Sequence, residues 1–233
     1  MKIGILGAME QEMALLRASL EGGHQETQGP LEFYSGRLHG VEVVLVQTGI
    51  GKVAATLATA LMIQCYKPDY VVNTGSAGGF DARLNIGDLI IASAVQHHDV
   101  DVTHFGFEHG QVFGLPKLFP CDQRLIHAAQ HAAETITDIH SQTGLIGTGD
   151  SFIGCDEAVG RVRGRFPELC AVEMEGAAIG QACYQLQTPF VVIRALSDIA
   201  GVDSLMSFES YLDKASHHSA TLVMAMIKRL SMP

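Results

Sequence analysis

Apolar positions along the chain fall into two alternating patterns. Short, nearly continuous apolar runs such as "YVVNTG" at 70–75 and "FVVIRAL" at 190–196 alternate with longer stretches of helical spacing. The short runs predict strands at Lys2–Leu6, Leu31–Arg37, Val41–Gln47, Asp69–Thr74, Asp88–Ala94, Gln142–Thr148, Cys170–Val172 and Pro189–Leu196. The longer stretches predict helices at Glu10–Leu20, Lys52–Tyr66, Gln123–Thr135, Glu157–Arg163, Glu175–Leu186 and Ser207–Leu230. Continuous apolar strands belong to a sheet covered on both faces, and their alternation with helices argues for an α/β fold. Leu31–Arg37 and Val41–Gln47 are joined by the short turn His39-Gly40, so part of the sheet is expected to be antiparallel. No Pro/Ser-rich linker, repeat or low-complexity segment divides the chain, and a single domain over residues 1–233 is expected. Residues 97–120 carry neither period. A loop of that length in a compact domain is usually functional or sits at an interface.

Composition narrows the classes. Hydrophobic residues make up 47% of 233, enough for a large core, and the net charge is −10 with no basic run of five or more. A nucleic-acid binder would show a positive face, so that class is disfavoured. The five cysteines, at 65, 121, 155, 170 and 183, form no C-x-x-C pair and read as reduced thiols of a cytoplasmic protein. The apolar run in "MKIGILGAMEQE" is too short for a signal-peptide core, and no later run approaches a membrane span.

Four predicted strand ends run into glycine-rich turns: "GAME", "QTGIGKV", "NTGSAGGF" and "GTGDSFIG". Ligands of open α/β sheets bind beyond the carboxyl ends of strands, so the four turns can build one rim. Neither a Walker A loop nor a G-x-G-x-x-G fingerprint is among them, and no cofactor is implied. Taken singly, each is explained as a tight turn.

Three carboxylates and an arginine fall at the same strand ends. Glu12 lies in the first turn after the first strand, Glu175 opens an Ala-rich helix, and Asp198 ends the strand that carries Arg194. Each has a bland reading. Glu12 and Glu175 are acids favoured by a helix dipole, Asp198 is a helix N-cap before Ile199-Ala200, and Arg194 is a structural ion-pair partner. Glu173 has no distinctive spacing and reads as structural. Together on one rim, these groups would be acid–base machinery.

"GAMEQE", "TGIGKVAA", "NTGSAGG", "GDSFI", "VEMEGAAI" and "VIRALSD" resemble, in order and over nearly the whole chain, the motif set of the 5′-methylthioadenosine/S-adenosylhomocysteine nucleosidases, members of the purine nucleoside phosphorylase-like superfamily. The resemblance implies a mixed central sheet flanked by helices on both faces, a homodimer, and no metal or cofactor. It implies hydrolysis of the N-ribosidic bond to adenine and a 5-thioribose, with 5′-deoxyadenosine as a further substrate, in methionine salvage and the methyl cycle. Residue by residue it implies Glu12 as the base that activates water, Glu175 as the carboxylate that holds the ribose hydroxyls, and Asp198 as the acid at adenine N7. Arg194 and Ser76 correspond to groups that position the water, and Met174 to the residue under the ribose. Phe152 corresponds to the ring stacked on the purine, and Ile153 to the backbone that reads its edge. Met9, Ile50 and Phe208 match an apolar wall around the 5′ substituent. Val102, Phe105 and Phe113 fall on the long loop that reaches the neighbouring subunit's site. Ala77, Gly78, Glu173 and Ser197 lie within these motifs and complete the binding set the resemblance implies.

Two other readings stay open at this level. A phosphorylase on the same scaffold needs an arginine-based dianion site, and only Arg194 lies on the proposed rim. A metalloprotein is suggested by His97, His98, Asp99, Asp101, His104 and His109, although their spacing fits no zinc pattern. The motifs leave breadth at the 5′ position open, aminodeoxyfutalosine included.

Overall fold

The computed structural model describes residues 1–81, 83–137, 139–201 and 204–232. In chain order the elements are β1 (Lys2–Gly7), α1 (Glu10–Ala18), β2 (Glu21–Gln28), β3 (Leu31–Leu38), β4 (Val41–Gln47), α2 (Lys52–Tyr66), β5 (Tyr70–Gly79), β6 (Leu89–His97), β7 (Phe119–Pro120), α3 (Gln123–Ala133), β8 (Ser141–Thr148), α4 (Asp156–Arg165), β9 (Leu169–Glu173), α5 (Gly176–Gln185), β10 (Phe190–Ile199) and α6 (Ser204–Leu230). The α/β reading holds. Among the described residues ten strands form one mixed sheet, and two groups of helices pack on it: α6 touches both α1 and α3, and α2 pairs with α5.

The expected hairpin is present. β3 and β4 pair antiparallel from Leu38↔Val41, and His39 and Gly40 both have positive φ, 49° and 79°. That is the turn whose twist matches paired strands. β2 was not expected. Its sequence EGGHQETQ has no apolar face, and the strand is exposed almost throughout. It exists because its backbone pairs with β3 at the sheet edge. The two-residue β7 is the part of the 97–120 stretch that returns to the sheet, against β6. A 3-10 turn over Thr103–Phe105 is the other regular piece there.

Several strands outrun their apolar cores. β5 continues from Thr74 to Gly79 and β10 from Leu196 to Ile199. These extensions close part of the sheet on itself. β5 pairs with β10 along Val71–Gly79, β10 with β6, β6 with β8, β8 with β9, and β9 returns to β5 at Gly78–Gly79. Extra residues at Ser93 of β6, Cys170 of β9 and Ser197 of β10 shift the register and bend the strands into this ring. On its other edge β5 pairs with β1 only through Tyr70–Asn73. A gap in backbone pairing therefore opens on that edge between Asn73 and Gly78, and the site is built there. A second cluster, with Phe80, Val159, Val162 and Phe166, packs α4 across the ring.

Candidate active site

A cavity of about 360 Å³ lies at the carboxyl ends of β1, β5, β9 and β10, lined by Ala8, Met9, Glu12, Ile50, Ser76, Ala77, Gly78, Phe152, Val172, Glu173, Met174, Glu175, Ser197, Asp198 and Phe208. All four glycine-rich turns contribute to it. Ile153 lines a small hollow that shares Gly78, Phe152, Val172, Glu173, Met174 and Asp198 with the cavity. Ala8 and Val172 are lining residues not anticipated from the sequence, although both sit inside the quoted motifs.

Glu12 fills the gap in β5 pairing. Ser76 donates its backbone amide (2.9 Å) and hydroxyl (3.2 Å) to Glu12 Oε1. The amides of Ala8 (2.7 Å) and Met9 (3.1 Å) donate to Oε2. The helix-start reading of Glu12 is thus partly correct, since Met9 is the N-cap of α1. The carboxylate nonetheless faces the cavity, 2% exposed and fully ringed by donors. Gly75 makes the approach feasible. A Cβ there would stand 2.2 Å from Arg194 Nη1 and 2.5 Å from Glu12 Oε1.

Glu173 and Glu175 point to different tasks. Glu173 accepts from the amides of Glu175 (3.0 Å) and Gly176 (2.7 Å), so it caps α5. It also accepts from the Thr148 hydroxyl and from Arg194. Thr148 in turn accepts from the Ala177 amide at 2.7 Å. Glu175 is the N-cap residue of α5 rather than its first helical residue. Its Oε1 accepts from the Gly51 amide at 2.8 Å, and Gly51, with φ 97°, is the N-cap of α2. Burial, reinforced by the charge of Glu173, pushes the Glu175 carboxyl up to about 7, against the opposing pull of Arg194.

Arg194 is not among the residues that line the cavity. It is completely buried, and its guanidinium donates to Glu173, Asn73 Oδ1 (2.7 Å), Thr74 O (3.2 Å) and Glu175 Oε2 (3.4 Å). Burial opposes its charge, but Glu173, Glu175 and Glu12 together outweigh it and raise its pKa. The ion-pair reading therefore describes its contacts within the chain, and its Nη1 also approaches the Gly75 position that Glu12 Oε1 faces. Asp198 is not a helix N-cap; it lies inside β10 beside a register shift, opposite Gly78. The Ser197 hydroxyl donates to its Oδ1 at 2.9 Å.

Phe152 and Phe208 meet edge to face across the cavity, ring centroids 5.9 Å apart. Val102, Phe105 and Phe113 are not part of this lining. Phe105 and Phe113 touch each other and remain more than half exposed. In the same stretch His109 pairs with Asp101 at 3.6 Å, and among the described residues no three His, Cys, Asp or Glu side chains are grouped to hold a metal ion.

The ring of the α/β sheet brings four acidic side chains, Glu12, Glu173, Glu175 and Asp198, to one cavity. The family model described as the phosphorylase superfamily matches residues 2–228. A 5′-methylthioadenosine/S-adenosylhomocysteine nucleosidase of Geobacillus kaustophilus is 54% identical over 227 residues, covering 97% of each chain. A crystal structure of such a nucleosidase from Colwellia psychrerythraea in complex with adenine superposes with TM-score 0.97 at 52% identity, over 99% of this chain and 96% of the other. The Neisseria meningitidis nucleosidase in complex with methylthio-immucillin-A gives TM-score 0.96 at 46% identity, over 97% and 98%. The chain belongs to the phosphorylase superfamily and, within it, to the 5′-methylthioadenosine/S-adenosylhomocysteine nucleosidases.

Proposed function

We propose that the cavity hydrolyses the N-ribosidic bond of 5′-methylthioadenosine and S-adenosylhomocysteine, releasing adenine and the 5-thioribose, with Glu12 as base, Asp198 as acid and Glu175 as the ribose clamp. The observation that carries this reading is the company Glu12 keeps. It is a carboxylate held by four donors in a cavity that also holds Glu175 and Asp198, and no arginine or lysine is among the lining residues described.

The chemistry follows from charge. Cleavage sends the electrons of the C1′–N9 bond to the base and leaves positive charge on the ribose. A proton from Asp198 to adenine N7 lets the base leave neutral. Glu12 takes a proton from the water whose oxygen bonds to C1′. One proton is given and one received, and both groups reset by exchange with solvent. Glu175 orients the 2′- and 3′-hydroxyls and stabilises the cationic sugar, as paired carboxylates do in glycoside hydrolysis. Arg194 acts through Glu173 and Glu175 as a positioning residue. Met174 offers the sugar an adaptable apolar contact. Phe152 stacks on the purine, the backbone at Ile153 reads its edge, and Met9, Ile50 and Phe208 surround the 5′ substituent.

A phosphorylase would seat a phosphate dianion where these carboxylates gather. Among the described residues the one buried cation nearby, Arg194, is already committed to Glu173 and Asn73, so water is the better nucleophile here.

Apolar side chains exposed on α2 (Val53, Leu57) and on the long loop (Phe105, Phe113) support a homodimer in which Val102, Phe105 and Phe113 reach the neighbouring subunit's cavity. The five cysteines are free, and among the described residues no helix is long and apolar enough to cross a membrane. Both facts support a cytoplasmic enzyme.

The test is turnover of 5′-methylthioadenosine by Glu12→Gln and Asp198→Asn proteins. Each is expected to lose about 10²–10⁴-fold in kcat while still binding adenine. Normal kcat in either protein contradicts the assigned roles.

A further inference from the structure

Lys52, Asp99 and Asp150 form a cluster outside the cavity that the chemistry above does not use. The Lys52 ammonium donates to Asp99 Oδ1 at 2.7 Å. The Asp150 amide donates to Asp99 Oδ2 at 3.0 Å. Asp150 Oδ1 accepts from the Lys52 amide at 2.8 Å, at the start of α2. The preceding amide in the chain, Gly51, is the one that holds Glu175. Gly51 lies so close to Asp150 that a Cβ would stand 3.0 Å from its Oδ1.

These contacts join segments 47, 51 and 98 residues apart in sequence. Two of the joined segments carry part of the site. Ile50 is two residues before Lys52, and Phe152 and Ile153 follow Asp150 by two and three. Asp99 opens the long loop just after the buried pair His97 and His98. Lys52 keeps Asp99 ionised even though partial burial opposes its charge. A lone exposed ion pair contributes little. Here one carboxylate also receives a backbone amide, and a second carboxylate caps the helix, so the unit is a closed circuit of charge-assisted hydrogen bonds.

We infer that Lys52, Asp99 and Asp150 form a clip that sets the spacing between the Ile50 wall and the Phe152–Ile153 wall, making Asp99 and Lys52 positioning residues for substrate capture. The inference rests on the site assignment above. The clip touches neither Glu12 nor Asp198, so it governs how well substrate is held rather than the bond-breaking step. It also gives the start of the long loop a task within its own subunit, separate from any contact with a neighbour.

The experiment is steady-state kinetics on 5′-methylthioadenosine for the wild type, Asp99→Ala, Lys52→Met and the double variant, at low and high salt. Either single change is expected to raise KM about three- to tenfold, the span between an exposed pair and a charge-assisted bond, with kcat within about twofold because uniform binding is what is lost. The double variant should be no worse than the poorer single, because both changes open the same circuit. Wild-type KM should climb with salt toward the variants' value, while theirs stays flat. Unchanged KM in both singles, additive effects, or a fall in kcat at constant KM overturns the clip. If Asp99→Ala does not fold, Asp99→Asn, which keeps one acceptor for the Asp150 amide, takes its place with the same expectations. Absence of turnover in the wild type would count against the nucleosidase reading and not the clip. Adenine affinity of the same proteins then decides the clip, with the variants expected to be weaker and equal affinity overturning it.

Discussion

Arg194 Nη2 lies 3.4 Å from Glu175 Oε2, and the same nitrogen donates to Glu173. One buried cation therefore answers two buried carboxylates, and with both ionised the local charge is negative. Excess negative charge beside a sugar that turns cationic is useful to the reaction. Its cost is carried by Glu175, whose proton is held up to about 7 by burial and by Glu173.

That shift predicts a pH dependence. Between about 4.5 and 7 the unfolded chain has ionised this group while the folded protein retains its proton. The folded state binds more protons there, so this group's contribution to stability falls as pH rises across the window. A Glu175→Gln protein should lose that part of the slope in thermal unfolding at pH 5 to 7.5. Ribose hydroxyls donating to Glu175 favour its ionised form, so binding a neutral substrate analogue should release protons near pH 6.5. Calorimetry in buffers of different ionisation enthalpy measures this, and Glu175→Gln should release fewer.

Removing the cation should hurt the fold. Arg194→Met leaves Glu173 and Glu175 buried without their partner, a loss of about 3–5 kcal/mol. For a chain of this size that lowers Tm by about 10 °C. The deficit should shrink as pH falls, because protonating the stranded carboxylates removes the unpaired charge. Thermal melts at pH 5 and pH 8 check both statements.

Gly75 separates Arg194 from Glu12. Gly75→Ala places a methyl where Arg194 Nη1 and Glu12 Oε1 now lie within 2.5 Å of it. Overpacking of this kind costs about 1–3 kcal/mol. Displacing Glu12 should also cut kcat by about 10²-fold or more, since misplacement of about 1 Å has that effect. Kinetics and a melt on one preparation separate the two effects. Full activity would mean that Glu12 is not held where its hydrogen bonds put it.

Much of the site was legible because its residues follow strand ends. The turns at 7–10, 47–53 and 147–154 lie where a strand meets a helix or loop, whereas 73–80, read as a turn, is the extended end of β5 itself; each delivers a lining residue. The bounds of β4 and α2 match their apolar patterns residue for residue. What could not be read depends on partners distant in the chain. The sequence around β2 is polar, and only its pairing with β3 makes it a strand. Ring closure depends on bulges that carry β9 to Gly78 and Gly79, which no local period reports. Arg194 in an apolar run signals a buried ion pair or a ligand contact equally. Only the positions of Glu173 and Asn73 decide. The circuit of Lys52, Asp99 and Asp150 was hidden for the same reason.

The central claim is that water, not phosphate, attacks C1′ in this cavity. Its most direct test is to incubate the protein with 5′-methylthioadenosine, with and without phosphate, and to identify the sugar product. The account predicts adenine and free methylthioribose in both samples at similar rates. Methylthioribose 1-phosphate, formed only where phosphate is present, would contradict it.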